Sequence, residues 1–148
     1  MTNRQFEIKL ADTEELQEKA FKIREEVFVV EQRVDKREEF DEFENSARHF
    51  VVLDRNGDPI GASRWRRTDN GIKMERFAVK ESLRGTGIGQ ALVQATLDDI
   101  KEEAGTGNML YMHAQLPAVS LYARFGFQKV GDQFSECDIL HYKMQLIN

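Results

Sequence analysis

Arg84-Gly85-Thr86-Gly87-Ile88-Gly89 stands between two segments of different period. Before it, Ile72 to Val79 is short and β-rich; after it, Ile88 to Ala104 carries Leu92, Ala95 or Thr96, and Ile100 at helical spacing and closes on Gly105. A glycine-rich turn between a strand and a helix presents unpaired N–H groups and the positive end of the helix dipole, an arrangement that receives anions. Phosphate is the obvious candidate. The Rossmann spacing G-x-G-x-x-G is not met, because Gln90 stands three residues after Gly87, and the Gly-Lys-Ser/Thr close of a P-loop is absent. Taken alone, the segment also fits a plain tight turn at a helix start.

Downstream of the turn, Met109 to Gln115 reads as a short apolar strand. Pro117 opens a helix through Arg124 that stops at Gly126, a proline in the first turn and a glycine beyond the end. Phe127 to Asn148 alternates enough for two closing strands. Upstream, Ala47 to Leu53, Ile60 to Arg67 and Ile72 to Val79 are joined by Asp54-Arg55-Asn56-Gly57-Asp58-Pro59 and Thr68-Asp69-Asn70-Gly71. Such turn chemistry makes two successive hairpins and an antiparallel meander. Phe6, Ile8 and Leu10 alternate as a half-buried opening strand. Leu16, Ala20, Ile23, Val27 and Val30 then follow in steps of four and three, one apolar stripe on a helix capped by Asp12 or Thr13 with Glu14 and Glu15 in its first turn. Glu31 to Glu44 is polar and reads as an exposed loop or short helix. The order β-α-(α)-β-β-β-α-β-α-β-β predicts an α/β fold, a mixed sheet flanked by helices. No repeat, low-complexity segment or linker interrupts it.

The 148 residues carry 21 Lys+Arg against 26 Asp+Glu, a formal net charge of −5. One domain is the expectation at roughly 100 to 200 residues per domain, and a chain of this length buries about 68–70% of its unfolded surface without metal or disulfide. Cys137 is the only cysteine, which excludes an intramolecular disulfide and cysteine-rich zinc sites and suits a reducing, cytoplasmic setting. Met1 to Leu10 shows no export signal, and no stretch approaches the roughly 18 continuous apolar residues of a membrane span. The acidity argues against a dedicated nucleic-acid binder.

Glu75-Arg76-Phe77-Ala78-Val79 followed by Arg84-Gly85-Thr86-Gly87-Ile88-Gly89-Gln90-Ala91-Leu92 resembles the acetyl-CoA signature of the GNAT acyltransferases. Gln115-Leu116-Pro117-Ala118-Val119-Ser120-Leu121-Tyr122-Ala123-Arg124-Phe125-Gly126-Phe127 resembles a second motif of that superfamily, with Gln115 where asparagine is commoner. Ile23 to Gln32, Asp41, Ala47-Arg48-His49 and Ile139-Leu140-His141 are similar to the ElaA/YjcF-type branch. The resemblance spans nearly the whole chain. It implies the GNAT fold, a mixed, mostly antiparallel sheet whose central strands splay to admit the pantetheine arm of acetyl-CoA.

On that resemblance, backbone groups of Phe77 and Val79 pair with the pantetheine amides, as an added strand would. The N–H groups of Arg84, Gly85, Thr86, Gly87, Ile88 and Gly89 cradle the pyrophosphate, the glycines allowing close approach or left-handed torsions. Ala78, Gln90, Gln115, Ala118 and Tyr122 complete the cofactor positions. Acyl transfer to an amine needs a neutral nucleophile, a polarised carbonyl and a proton for the departing thiolate. Tyr122 is the candidate proton donor, against a plain packed aromatic. Glu75 is a candidate base through water, against a salt-bridged strand carboxylate.

Glu31, Arg64 and His113 are candidate acceptor-binding residues. Glu31, Glu38, Glu39, Asp41 and Glu42 either steer a cationic amine or form a solvated loop. Arg64 and Arg66 share one strand face and Trp65 and Arg67 the other, so one pair holds an anionic group or is ordinary surface charge. His49, His141 and Cys137 have no assigned role. The expected activity is acetyl transfer from acetyl-CoA to a primary amine, small molecule or protein lysine, in a direct ternary complex without metal. A CoA-binding regulatory module without turnover and a nucleotide-binding domain are the alternatives. Homodimerisation is a family habit.

Overall fold

The computed structural model describes residues 5–148, so the expectation about an export signal at Met1 lies partly outside the described residues. Strand β1 (Phe6–Leu10) leads into helix α1 (Glu14–Arg24), where the Thr13 Oγ1 accepts from the Leu16 N–H at 3.2 Å. Of the two expected caps, Thr13 is the one used. Glu14 and Glu15 in the first turn complement the helix dipole. Ala20, Ile23 and Val27 are buried as the stripe requires, yet Val30 is 69% exposed. The cause is a π-helical segment, Glu25–Glu31, closed by the Gln32 N–H donating to the Val27 carbonyl five residues back. The widened turn takes one extra residue and advances the helix phase by about 100°.

The polar stretch, expected as an exposed loop or short helix, is partly interior. It forms the short helix α2 (Lys36–Glu39) and a turn, and Glu39 is only 3% exposed. The meander follows as β2 (Arg48–Asp54), β3 (Pro59–Thr68) and β4 (Gly71–Val79). A 3-10 turn at Glu81–Leu83 precedes helix α3 (Ile88–Ala104), then come strand β5 (Met109–Gln115), helix α4 (Val119–Ala123), and strands β6 (Gln128–Glu136) and β7 (Ile139–Ile147). The helix expected from Pro117 is split: Leu116–Ala118 is a 3-10 turn whose last bond runs from the Val119 N–H to the Leu116 carbonyl. Gly126, at φ +97°, ends α4 as expected.

The described strands form one sheet in the order β1-β2-β3-β4-β5-β7-β6. Neighbours are antiparallel except β4 and β5, which run parallel and pair only at Ile72 with Leu110 and Lys73 with Tyr111. Beyond that point the two strands part. On β4 the divergence is marked by a bulge: Ala62 faces Ala78 while Arg64 faces Glu75, so β4 carries one extra residue, and Arg76 within it has φ +61°. Alternation along β2 sends Phe50 and Val52 into the core under α3, with Leu92, Val93 and Ile100, and Val51 and Leu53 into the core under α1, with Ala20 and Ile23. Helices thus cover both faces and leave the V between β4 and β5 as the opening into the sheet.

Candidate active site

Two cavities meet inside that V. A channel of about 400 Å³ lies on the side of the glycine turn, lined by Phe77 and Val79 of β4, Arg84, Gly85 and Gly89, and Gln115, Ala118 and Tyr122 across the gap. A cleft of about 550 Å³ opens on the other side, between α2 and the β6–β7 hairpin. Phe77, Gln115, Ala118 and Tyr122 line both.

The turn before α3 is shaped by backbone torsion. Gly85 and Gly87 have φ of +81° and +93°, and a Cβ at either would meet nothing within 4 Å, so conformation and not crowding selects glycine. Gly89 differs. A Cβ there would stand 3.5 Å from Leu121 and 3.9 Å from Val79, projecting into the channel. Helix α3 has no side-chain cap, so its first N–H groups are open to an incoming anion. Thr86 is tied back, its hydroxyl donating to the Leu83 carbonyl at 2.5 Å. Thr86, Gly87, Ile88 and Gln90 border a separate groove, shared with Phe6 and Ile60, and Ala78 is buried beneath α1.

Arg84 donates from Nε to the Val79 carbonyl at 3.0 Å and from both terminal nitrogens to Glu31, at 2.5 and 2.7 Å. The Arg84 hydrogen bond holds the Glu31 carboxyl below its ordinary value. Glu31, expected at the acceptor, therefore sits on the cofactor side, because the π-helical segment turns it toward the glycine turn. Gln32, on the same segment, exchanges side-chain amide hydrogen bonds with Gln115 at 3.1 and 2.9 Å.

Tyr122 is 6% exposed, its ring edge-on to Phe77 at 5.7 Å and to Phe127 at 6.4 Å. Its hydroxyl makes no hydrogen bond among the described residues, and burial pushes its ionisation well above the ordinary phenol range. A phenol so placed stays protonated at the junction of the two cavities.

Glu75 is the hub of an ionic cluster. It accepts from Arg64 Nε and Arg66 Nε at 2.8 Å each, with Lys73 at 3.4 Å and Arg76 at 3.9 Å. Burial pushes its carboxyl up, but the Arg64 and Arg76 guanidiniums more than offset this and hold it below its ordinary value. A carboxylate saturated by cations is a weak proton acceptor, so the geometry favours the salt-bridged reading of Glu75 over the water-mediated base.

Arg64 is a correction of the same kind. It is fully buried and donates to Asp41 at 2.9 and 2.7 Å, to Glu44 at 2.8 Å and to Glu75, leaving no donor for an anionic acceptor. Arg24 holds the other side of Glu44 at 2.9 and 2.8 Å and Glu39 at 2.9 Å, while Arg76 reaches Asp41 at 3.1 Å. Burial would raise the Asp41 carboxyl; the Arg64 hydrogen bonds override it and bring it down to about 2. Of the acids expected either to steer a cationic amine or to form a solvated loop, Glu39 and Asp41 are committed, together with Glu44, to arginines that pin α2 over the sheet. The sequence assigns no role to Arg24, Arg76 or Glu136, since the partners that place them lie 15 or more residues away.

The cleft's remaining wall is the β6–β7 hairpin. His113 of β5 has Nδ1 3.3 Å from the Glu136 Oε1, with the Phe134 ring edge-on at 5.1 Å. His141 lines the cleft too, its Nδ1 donating to the Ile139 carbonyl at 2.7 Å, whereas His49 lies away from it, bonded to the Glu44 carbonyl at 2.7 Å. Cys137 donates to Glu38 at 2.6 Å, and burial with the Glu38 carboxylate pushes its thiol up to about 11, away from nucleophilic use. No described helix is long and apolar enough to cross a membrane, and no group of metal-binding side chains occurs among the described residues.

The family model described as Acetyltransferase (GNAT) domain matches residues 10–148. The chain belongs to the GNAT acetyltransferase family. It is 38% identical over 136 residues to the uncharacterized N-acetyltransferase YjcF of Bacillus subtilis, covering 91% of this chain and 95% of that one. Among solved structures, an acyl-CoA N-acyltransferase from Pseudomonas aeruginosa superposes with TM-score 0.81 at 26% identity, covering 95% and 97% of the two chains. Escherichia coli ElaA shares the fold, with TM-score 0.78 at 23% identity over 96% and 99%. Both the GNAT fold and the ElaA/YjcF-like affiliation expected from the motifs are borne out. As a family member the chain is an acyltransferase.

Proposed function

We propose that this acyltransferase moves acetyl from acetyl-CoA to a primary amine by direct attack within a ternary complex. The observation that carries the reading is the meeting of the channel and the cleft at Tyr122, which lets donor and acceptor enter from opposite sides and react without a covalent enzyme intermediate. The chain's residues fit the donor: the left-handed glycine turn and uncapped α3 suit a pyrophosphate, and the parting of β4 from β5 frees backbone groups for the pantetheine amides. When bound, acetyl-CoA supplies the electrophilic thioester carbonyl. Tyr122, protonated where the channel meets the cleft, is the group placed to give the departing thiolate its proton.

Glu39, Asp41 and Glu75 are already paired with arginines, so the cleft carboxylates not bonded to arginine are those of Glu38 and Glu136, and these support a cationic amine as acceptor. The test combines calorimetry with acetyl-CoA and thiol release against spermidine, kanamycin, glucosamine, tyramine and a lysine peptide. Micromolar binding with release in the presence of one small amine is the expected result. Binding without release from any amine would favour a regulatory CoA-binding module, and no binding at all would overturn the donor assignment.

A further inference from the structure

We infer that His113 is the proton acceptor for the incoming amine and that Glu136 is its positioning residue. The inference rests on the acyltransferase reading above and goes beyond it by naming the base. Ile72 pairs with Leu110 and Lys73 with Tyr111, the last pair between the two strands, and two residues further along β5 His113 stands where β4 and β5 part. His113 stands on the cleft wall two residues before Gln115, which lines both cavities, and its side chain is 28% exposed. It is accessible from the acceptor side.

The hydrogen bond to Glu136 sets the imidazole's chemistry. A carboxylate 3.3 Å from Nδ1 keeps the proton on that nitrogen and leaves the Nε2 lone pair free for the cleft. The Phe134 ring at 5.1 Å fixes the imidazole edge-on. His113, by that same hydrogen bond, holds the Glu136 carboxyl below its ordinary value, so it remains an anion able to stabilise an imidazolium. The other charged or titratable groups near His113 are Tyr111 of β5 itself, its ring centroid 6.4 Å away, Lys73 and Glu75 from β4, His141 and Lys143 from β7, and Cys137 with its partner Glu38.

None of these competes well. Glu75 is surrounded by cations, and the Cys137 thiol stays protonated. His141 is 6% exposed, and its Nε2 is 3.9 Å from Glu136, too long for the hydrogen bond that orients His113.

An ammonium acceptor gives one N–H proton to His113 Nε2, which passes it to solvent. The freed lone pair then forms the C–N bond at the thioester carbonyl. Collapse breaks the C–S bond, Tyr122 protonates the leaving sulfur, and the second proton lost by the nitrogen restores the phenol. The net products are an amide, a thiol and one released proton.

His113→Gln, His113→Asn and Glu136→Gln test this with whichever panel amine gives the fastest thiol release. The His113 variants are expected to lose about 100-fold or more in kcat/KM for the amine at neutral pH, with KM for acetyl-CoA changed less than about threefold. That deficit shrinks as pH rises, because an amine that is already neutral needs no acceptor. Glu136→Gln loses less, about tenfold, in the same direction. Independently of turnover, diethyl pyrocarbonate is expected to modify His113 in the free protein, and the amine with CoA to shield it, as read by peptide mass mapping. Wild-type kcat/KM and pH profile in both His113 variants would overturn the inference. A loss that follows His141→Gln instead, or labelling of His113 indifferent to the amine, would do the same. If wild-type protein releases no thiol with any amine, the transferase reading fails and takes this inference with it; if wild type turns over and His113 variants match it, this inference alone fails.

Discussion

Replacing Tyr122 by phenylalanine removes one oxygen and leaves the ring. The ring is held by Phe77 at 5.7 Å and Phe127 at 6.4 Å, and the hydroxyl makes no hydrogen bond among the described residues. Its removal therefore strands no partner, and the roughly 1–3 kcal/mol that an orphaned buried group costs does not arise. Stability is expected to stay within about 1 kcal/mol of wild type, with any shift toward greater stability. Catalysis should respond quite differently. A general acid contributes about 10²–10⁴ in rate, or about 2.7–5.4 kcal/mol of barrier at roughly 1.36 kcal/mol per decade. Urea unfolding and thiol release at saturating acetyl-CoA measure the two quantities on one preparation. A variant that keeps the wild-type kcat refutes the acid role. A variant that loses more than about 2 kcal/mol of stability refutes the claim that the hydroxyl is unpartnered.

Three further expectations concern the scaffold of the site. Arg64→Met leaves Asp41, Glu44 and Glu75 without their shared cation and is expected to destabilise by about 3–5 kcal/mol, read by urea unfolding. Gly87→Ala forces a Cβ onto a residue at φ +93°, costs about 1–2 kcal/mol and weakens acetyl-CoA binding measured by calorimetry, with space around the new methyl group giving no relief. In acid, Asp41, Glu44 and Glu75 act together: their folded carboxyls ionise below their ordinary values, so their contribution is complete above the unfolded range near pH 4 and is lost as pH falls through the lowered folded values, for Asp41 about 2. Glu39, raised by burial, runs the opposite way, and Asp41→Asn should flatten the loss in a pH-dependent unfolding series.

Local patterns carried most of the architecture. Alternation, turn residues and caps act within a few positions, so the meander, α3 with its Gly105 stop and the closing hairpin are legible residue by residue. The glycine turn is legible for the same reason, since its torsions belong to it alone. Val30 was misplaced because a steady three-and-four stripe does not reveal a widened turn, which here is favoured by contacts of Glu31 and Gln32 with residues far along the chain. Arg64 and the acids of α2 were misjudged for a related reason. Charge at a strand or loop position looks solvated until its partners are known, and those partners lie 11 to 23 residues away for Arg64 and 15 and 37 for Glu39. His113 carried little signal in sequence because its carboxylate, Glu136, arrives only when β7 pairs with both β5 and β6.

The π-helical segment also makes the donor channel a single-residue trait. Deleting one position between Glu25 and Glu31 would restore ordinary helix phase, letting Val30 turn inward while Glu31 and Gln32 rotate off Arg84 and Gln115. A lineage is therefore one in-frame codon loss away from a better-packed helix and an uncoupled cofactor mouth. Persistence of the extra residue among active relatives, and its loss among inactive ones, would make this turn a readable mark of which chains still bind their donor.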